Sequence, residues 1–169
     1  MVRTNEPNHT YSKTMKLSDL IDKKISKIRF NYTLENEQGV KEFQSQIRLS
    51  NKEVILIPNY PDTDYDLLED YQKNKTSTFQ KAKRCGLASR LLFRNRKIVD
   101  IHFEYQDNEP QRDGRGILEL DNGKYITENY SGLQGLGEIN LVVMDKSQFQ
   151  ELANNEVEFR SLKKDILAD

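Results

Sequence analysis

At 169 residues the chain has the size of one domain, and two complete domains are not expected. Hydrophobic residues are 36 % and charged residues 31 % of the chain. Even so, Ile, Leu, Val, Phe and Tyr fall in patterned runs, which a disordered chain lacks. The net charge of −1 speaks against a globally basic nucleic-acid binder, and the single cysteine, Cys85, leaves no partner for an internal disulfide.

Met1 to about Met15 is polar and reads as a mobile N-terminal tail (1–15), followed by one α+β domain over 16–169. The tail has no apolar core of the kind a secretory signal carries, so the expected location is cytoplasmic. No run approaches the ~18 consecutive apolar residues of a membrane-spanning helix.

Leu17–Lys23 has the composition of one or two helical turns. The period then changes to two. Ile28, Phe30, Tyr32 and Leu34 mark a first strand, Phe43, Ser45, Ile47 and Leu49 a second, and Val54–Ile57 a third that ends at Pro58. Glu35–Gly39 and Ser50–Lys52 supply the turns of this antiparallel meander. Residues 59–97 interrupt the pattern. Short helices are expected near Asp64–Tyr71 and Thr78–Cys85, and Leu87–Arg96 fits helix or strand equally. Alternation resumes with Ile98, Asp100, His102 and Glu104 on one face and Val99, Ile101, Phe103 and Tyr105 on the other, the expected core side. A polar loop follows. Ile117–Leu120 and Lys124–Thr127 then flank Asp121–Asn122–Gly123, a strong hairpin signal because Asn and Gly accept positive φ. After a glycine-rich connection and an apolar run at Ile139–Met144, Asp145 is placed to cap a helix starting at Lys146. A final helix is expected over 156–167, giving a helical C-terminus.

An internal repeat relates 24–60 to 97–130. KISKIRFNY (Lys24–Tyr32) lies over KIVDIHFEY (Lys97–Tyr105), and LSNKEVI (Leu49–Ile55) over LDNGKYI (Leu120–Ile126). The expected fold is therefore two similar three-stranded antiparallel units with short helices.

Charge is segregated between the two units. Asp62, Asp64, Asp66, Glu69 and Asp70 form a stretch without a basic residue. Lys81, Lys83, Arg84, Arg90, Arg94 and Arg96 follow in a stretch without an acidic one. Blocks of this kind either neutralise each other as a solvated insertion or form docking surfaces of opposite sign. The basic block also suits phosphate contacts. Stacking on a single strand, however, has only Phe79 and Phe93 to draw on, and both sit where a core wants them.

Signs of catalysis are sparse. His102 and Glu104 share a strand face, which suits a surface pair better than a metal site, since zinc takes three or four ligands. Ser131–Gly137 leads into a strand rather than a helix, so it lacks the context of a phosphate loop. No catalytic residue, metal or cofactor is expected; scattered carboxylates such as Glu119 and Glu128 leave an enzyme as an alternative.

The short helix, the KI-x-x-I-x-F strand and the L-x-N hairpin resemble, in layout over roughly 17–153, small uncharacterised bacterial α+β proteins of the immunity-protein type. That resemblance implies a non-catalytic module that neutralises a toxin or effector protein by stoichiometric binding. The expected contact surface is the acidic stretch with the basic one; nucleic-acid binding through 81–97 is the alternative, and no membrane contact is expected.

Overall fold

Antiparallel strands joined by tight turns dominate the fold, as the period-two runs predict. The computed structural model describes residues 16–33, 42–58, 79, 83–111, 116–133, 136–154 and 157–166. A 3-10 turn at Ser18–Leu20 leads into β1 (Ile25–Thr33), β2 (Glu42–Leu49), β3 (Val54–Leu56) and β4 (Lys83–Arg84). Helix α1 (Leu87–Phe93) then precedes β5 (Ile98–Gln106), β6 (Glu109–Pro110), β7 (Ile117–Leu120), β8 (Tyr125–Leu133) and β9 (Leu136–Met144). Helix α2 (Lys146–Asn154), β10 (Glu158–Ser161) and a π-helical turn (Leu162–Ile166) close the chain. One sheet has the order β3-β2-β1-β4 and the other β10-β5-β7-β8-β9, with β6 also paired to β5. The fold is α+β on antiparallel sheet.

One stretch of pairing in each sheet has the same register. β1 meets β2 through Ile25↔Leu49, Lys27↔Arg48 and Ile28↔Ile47, with a bulge between Ile25 and Lys27. β5 meets β7 through Ile98↔Leu120, Asp100↔Glu119 and Ile101↔Leu118, with a bulge between Ile98 and Asp100. The turns that follow match as well: Lys52 (φ 74°) and Gly123 (φ 72°) donate to the carbonyls of Leu49 and Leu120 at 3.1 and 3.0 Å. A short strand pairs on the other side of each, β4 with β1 at Arg29↔Arg84 and β10 with β5 at His102↔Ser161.

The units join at an antiparallel bridge between Lys24 and Lys97. Hydrogen bonds around it come in reciprocal pairs. Ile25 N to Arg96 O (2.9 Å) mirrors Ile98 N to Lys23 O (3.0 Å), and Asp22 N to Ile98 O (2.8 Å) mirrors Asn95 N to Ile25 O (2.7 Å).

Apolar residues from both sheets share one core. Ile28, Ile47 and Ile55 from the first and Ile101, Leu118 and Ile126 from the second are all buried there, with Leu20 and Phe93 from the helical turns. Full burial of such a side chain contributes roughly 1.5–3 kcal/mol. Plain alternation puts Ile98 on the same face as Asp100. The bulge between them returns Ile98 to the core, because an extra residue on one strand resets which way its neighbours point. Two polar contacts fix the junction of the sheets. The Ser45 amide donates to the buried Glu128 carboxylate, and the Gly116 amide donates to Pro58 O at 2.7 Å. A Cβ on Gly116 would stand 2.9 Å from that same Pro58 oxygen, so glycine is required by space.

Four local expectations change. The helix expected over Thr78–Cys85 gives way at Lys83–Arg84 to β4, which pairs with Phe30 and Arg29 of β1. The C-terminal helix over 156–167 is instead β10 followed by the π-helical turn, because Glu158–Ser161 takes the open edge of β5, pairing with Tyr105–His102. The start of the polar loop after Tyr105 is a tight hairpin, Asp107 (φ 53°) and Asn108 (φ 64°) turning the chain from β5 into β6. The glycine-rich stretch continues the β8–β9 ladder through Gly132↔Gly137 and Leu133↔Leu136. The proposed tail 1–15, the Glu35–Gly39 turn and the helix at Asp64–Tyr71 lie outside the described residues.

Candidate functional site

Cross-strand partners share a face, so the matching registers place equivalent side chains on the face of each sheet away from the core. In the first unit these positions hold Lys27, Arg29, Arg48 and Arg84. In the second they hold Asp100, His102, Glu119 and Ser161. Two of the four matching positions carry opposite charge, Lys27 against Asp100 and Arg48 against Glu119.

In the first unit, β4 pairs with β1 only at Arg29 and Phe30, leaving the edge at Ser26–Ile28 open beside α1. A cavity of about 250 Å³ forms there, lined by Lys27, Arg29, Arg84, Arg90, Arg94 and the ring of Phe93, together with Ser26 and Ile28. No acidic residue is among the described residues that line it. Arg29 is held in place: it donates to Phe79 O at 2.7 Å and its guanidinium lies 4.8 Å over the Phe79 ring. Helix α1 projects Leu87 (66 % exposed) and Leu91 (70 % exposed), one turn apart, beside Arg90 and Arg94. Asn122 Nδ2 donates to Leu92 O at 2.8 Å, tying the end of this helix to the second unit's hairpin turn. Cys85 lies beneath, its thiol donating to Ile28 O at 3.2 Å; burial pushes its pKa up, which leaves it a packing residue rather than a nucleophile.

In the second unit α2 covers the corresponding face. Its N-terminus is held by Asp145, which accepts from the Gln148 amide at 3.0 Å while Gln148 Oε1 accepts from the Asp145 amide at 2.9 Å. Phe149 on this helix stacks on Tyr125 (4.3 Å, 7°) and lies 5.0 Å from the His102 ring. Below it, His102 Nε2 and Glu119 Oε2 are 2.9 Å apart, with the side chains 13 % and 28 % exposed. Asp100, 6 % exposed, accepts from Ser161 Oγ at 2.6 Å and from the Ile101 amide at 2.8 Å. Burial first, then the Glu119 charge and a hydrogen bond to it, raise the Tyr125 pKa, with Asp100 adding to the same effect.

His102 therefore pairs with Glu119, across the strands, rather than with Glu104, and it lies under Phe149 rather than on an open face. Periodicity along one strand reveals Glu104 as a neighbour but carries no information on which strand lies alongside.

Of the docking residues expected from sequence, Arg84, Arg90 and Arg94 converge on the cavity. Lys83 sits beside Arg84 in β4, and Arg96 is exposed at the chain joint, where its carbonyl accepts from Ile25. Asp62, Asp64, Asp66, Glu69, Asp70 and Lys81 lie outside the described residues. Lys27 and Arg29, which complete the cavity, were not singled out because they fall in a strand read for its apolar face. No described helix is long and apolar enough to cross a membrane. No family model, curated protein or solved structure matches the chain.

Proposed function

We propose that the chain is a non-catalytic binding module, built from two copies of one strand unit, that docks an acidic protein surface on the basic cavity beside α1. The duplication is supported by the shared registers, bulges and reciprocal hydrogen bonds around Lys24 and Lys97. The observation that carries the binding reading is the convergence of Lys27, Arg29, Arg84, Arg90 and Arg94 on one cavity. At about 250 Å³ it is smaller than the usual ~300–1,000 Å³ of a small-molecule pocket and suits one or two carboxylate side chains. Exposed Leu87 and Leu91 beside those arginines give the mix of apolar anchor and guanidinium found at protein hot spots. Single-stranded nucleic acid calls for exposed aromatic rings, and Phe79 and Phe93 are both buried. Neutralising a toxin or effector by stoichiometric binding, in the manner of an immunity protein, is the form of this reading we favour.

The test is a quantitative pull-down from the native cell with the full chain and with an Arg84→Glu, Arg90→Glu, Arg94→Glu variant. The expected result is one stoichiometric protein partner whose affinity falls by ~100-fold or more in the variant, as for lost charge-paired contacts. Equal capture by both proteins rejects the basic surface. Capture of nucleic acid with a steep salt dependence assigns it to phosphate instead.

A further inference from the structure

We propose that Asp100, His102 and Glu119 bind one divalent transition-metal ion of the zinc class. One ligand atom from each of the three lies within 4.8 Å of the other two. The placement follows from register: Asp100 faces Glu119 across the β5–β7 ladder, and His102 is two residues along on the same face. One imidazole nitrogen with two carboxylate oxygens is a donor set that zinc and its neighbours accept, with a further position for water.

Metal–ligand bonds of ~2.0–2.2 Å put tetrahedral ligand atoms roughly 3.4 Å apart, so separations of up to 4.8 Å have to close by at most about 1.4 Å. Asp100 is already held for such a role. Its Oδ2 accepts from the Ser161 hydroxyl at 2.6 Å, and its Oδ1 from the amides of Ile101 at 2.8 Å and Lys163 at 3.3 Å. Oδ2 keeps a lone pair, and outer hydrogen bonds of this type orient a ligating carboxylate. With neutral imidazole the three side chains carry two negative charges at largely buried positions, and a divalent cation cancels them. The ion would take the place of the 2.9 Å hydrogen bond between His102 Nε2 and Glu119 Oε2, with the neutral ring carrying its proton on Nδ1. The rings of Phe149 and Tyr125 lie 5.0 and 5.9 Å from the His102 ring, and Phe159 packs on Phe149 at 5.4 Å.

The experiment uses the full-length, chelator-treated protein titrated with Co²⁺, followed by visible absorption, with Zn²⁺ as competitor. One equivalent of Co²⁺ should develop the intense d–d bands of a low-coordinate ion, and Zn²⁺ should abolish them. His102→Gln and Glu119→Gln should weaken binding at least ~10-fold, and Ser161→Ala, which removes the hydrogen bond that orients Asp100, by ~10–100-fold. Zn²⁺ should raise the melting temperature of the wild type and leave that of His102→Gln unchanged. Glu119→Gln keeps the shape of its side chain, so a folding defect in the histidine variant does not obscure the result. Absence of bands at stoichiometric Co²⁺, or bands unaltered in both ligand variants, overturns the proposal.

Discussion

The two outer faces of this molecule differ far more than the sheets beneath them. Backbone registers, bulges and turn positions coincide, and the inner faces meet in one apolar core. Outside, Lys27, Arg29 and Arg48 occupy the positions that Asp100, His102 and Glu119 hold in the other unit. The arginine side borders an open cavity beside α1, whereas the acidic side lies under α2. A β ladder constrains one face through packing and leaves the other chemically free, so equivalent positions can take opposite charge without changing the fold.

That comparison breaks if the inner faces are unequal. Ile28→Ala and Ile101→Ala remove register-equivalent, buried side chains and should each cost about 2–5 kcal/mol in denaturant unfolding. Costs differing by more than a factor of about 2–3, the usual context scatter, would refute the equivalence. A smaller effect tests a contact that belongs to the junction alone. Gly116→Ala forces a Cβ against Pro58 O, Phe103 and Ile101, and should destabilise by about 1–3 kcal/mol.

The turns sharpen the comparison further. Lys52 and Gly123 share nearly the same positive φ, yet only glycine adopts it without strain. Lys52→Gly should therefore stabilise by up to ~1 kcal/mol, while Gly123→Ala should destabilise by a similar amount, both read by thermal unfolding. The smallest effect is in acid. Hydrogen bonds from Ser147 and from the Gln148 amide hold the Asp145 pKa below its ordinary 3.8. Its folded value is depressed, so its contribution is complete above the unfolded value and is lost as pH falls through the lower folded one. Asp145→Ala should flatten a small acid-limb decrease in melting temperature below about pH 4, with the α2 face loosening before the first unit.

Much of this architecture was legible from local chemistry. Alternation at Ile28–Tyr32 and Ile101–Tyr105 marked the strands, Asp121–Asn122–Gly123 the hairpin, and Asp145 the helix cap. The matched KI-x-x-I-x-F segments fall in β1 and β5, whose pairings with β2 and β7 share a register over Ile25–Ile28 and Ile98–Ile101. Less was legible where an element depends on a distant edge. Glu158–Ser161 has helical composition but becomes a strand because β5 offers unpaired backbone groups there, and satisfying those outweighs propensity. The basic block indicated Arg84, Arg90 and Arg94, but Lys27 and Arg29 join them only through the packing of α1 against β1.

The sequence by itself determined the strand periods around Ile28, Ile47 and Ile101, the turns at Ser50–Lys52 and Asp121–Gly123, and the sign of charge along each segment, because these depend on neighbours within a few residues. Tertiary structure alone decided that His102 meets Glu119 rather than Glu104, that Asp100 turns toward Ser161, and that five basic side chains share one cavity. Those encounters depend on which strands lie side by side and on a one-residue bulge that resets their faces, a long-range choice made by core packing.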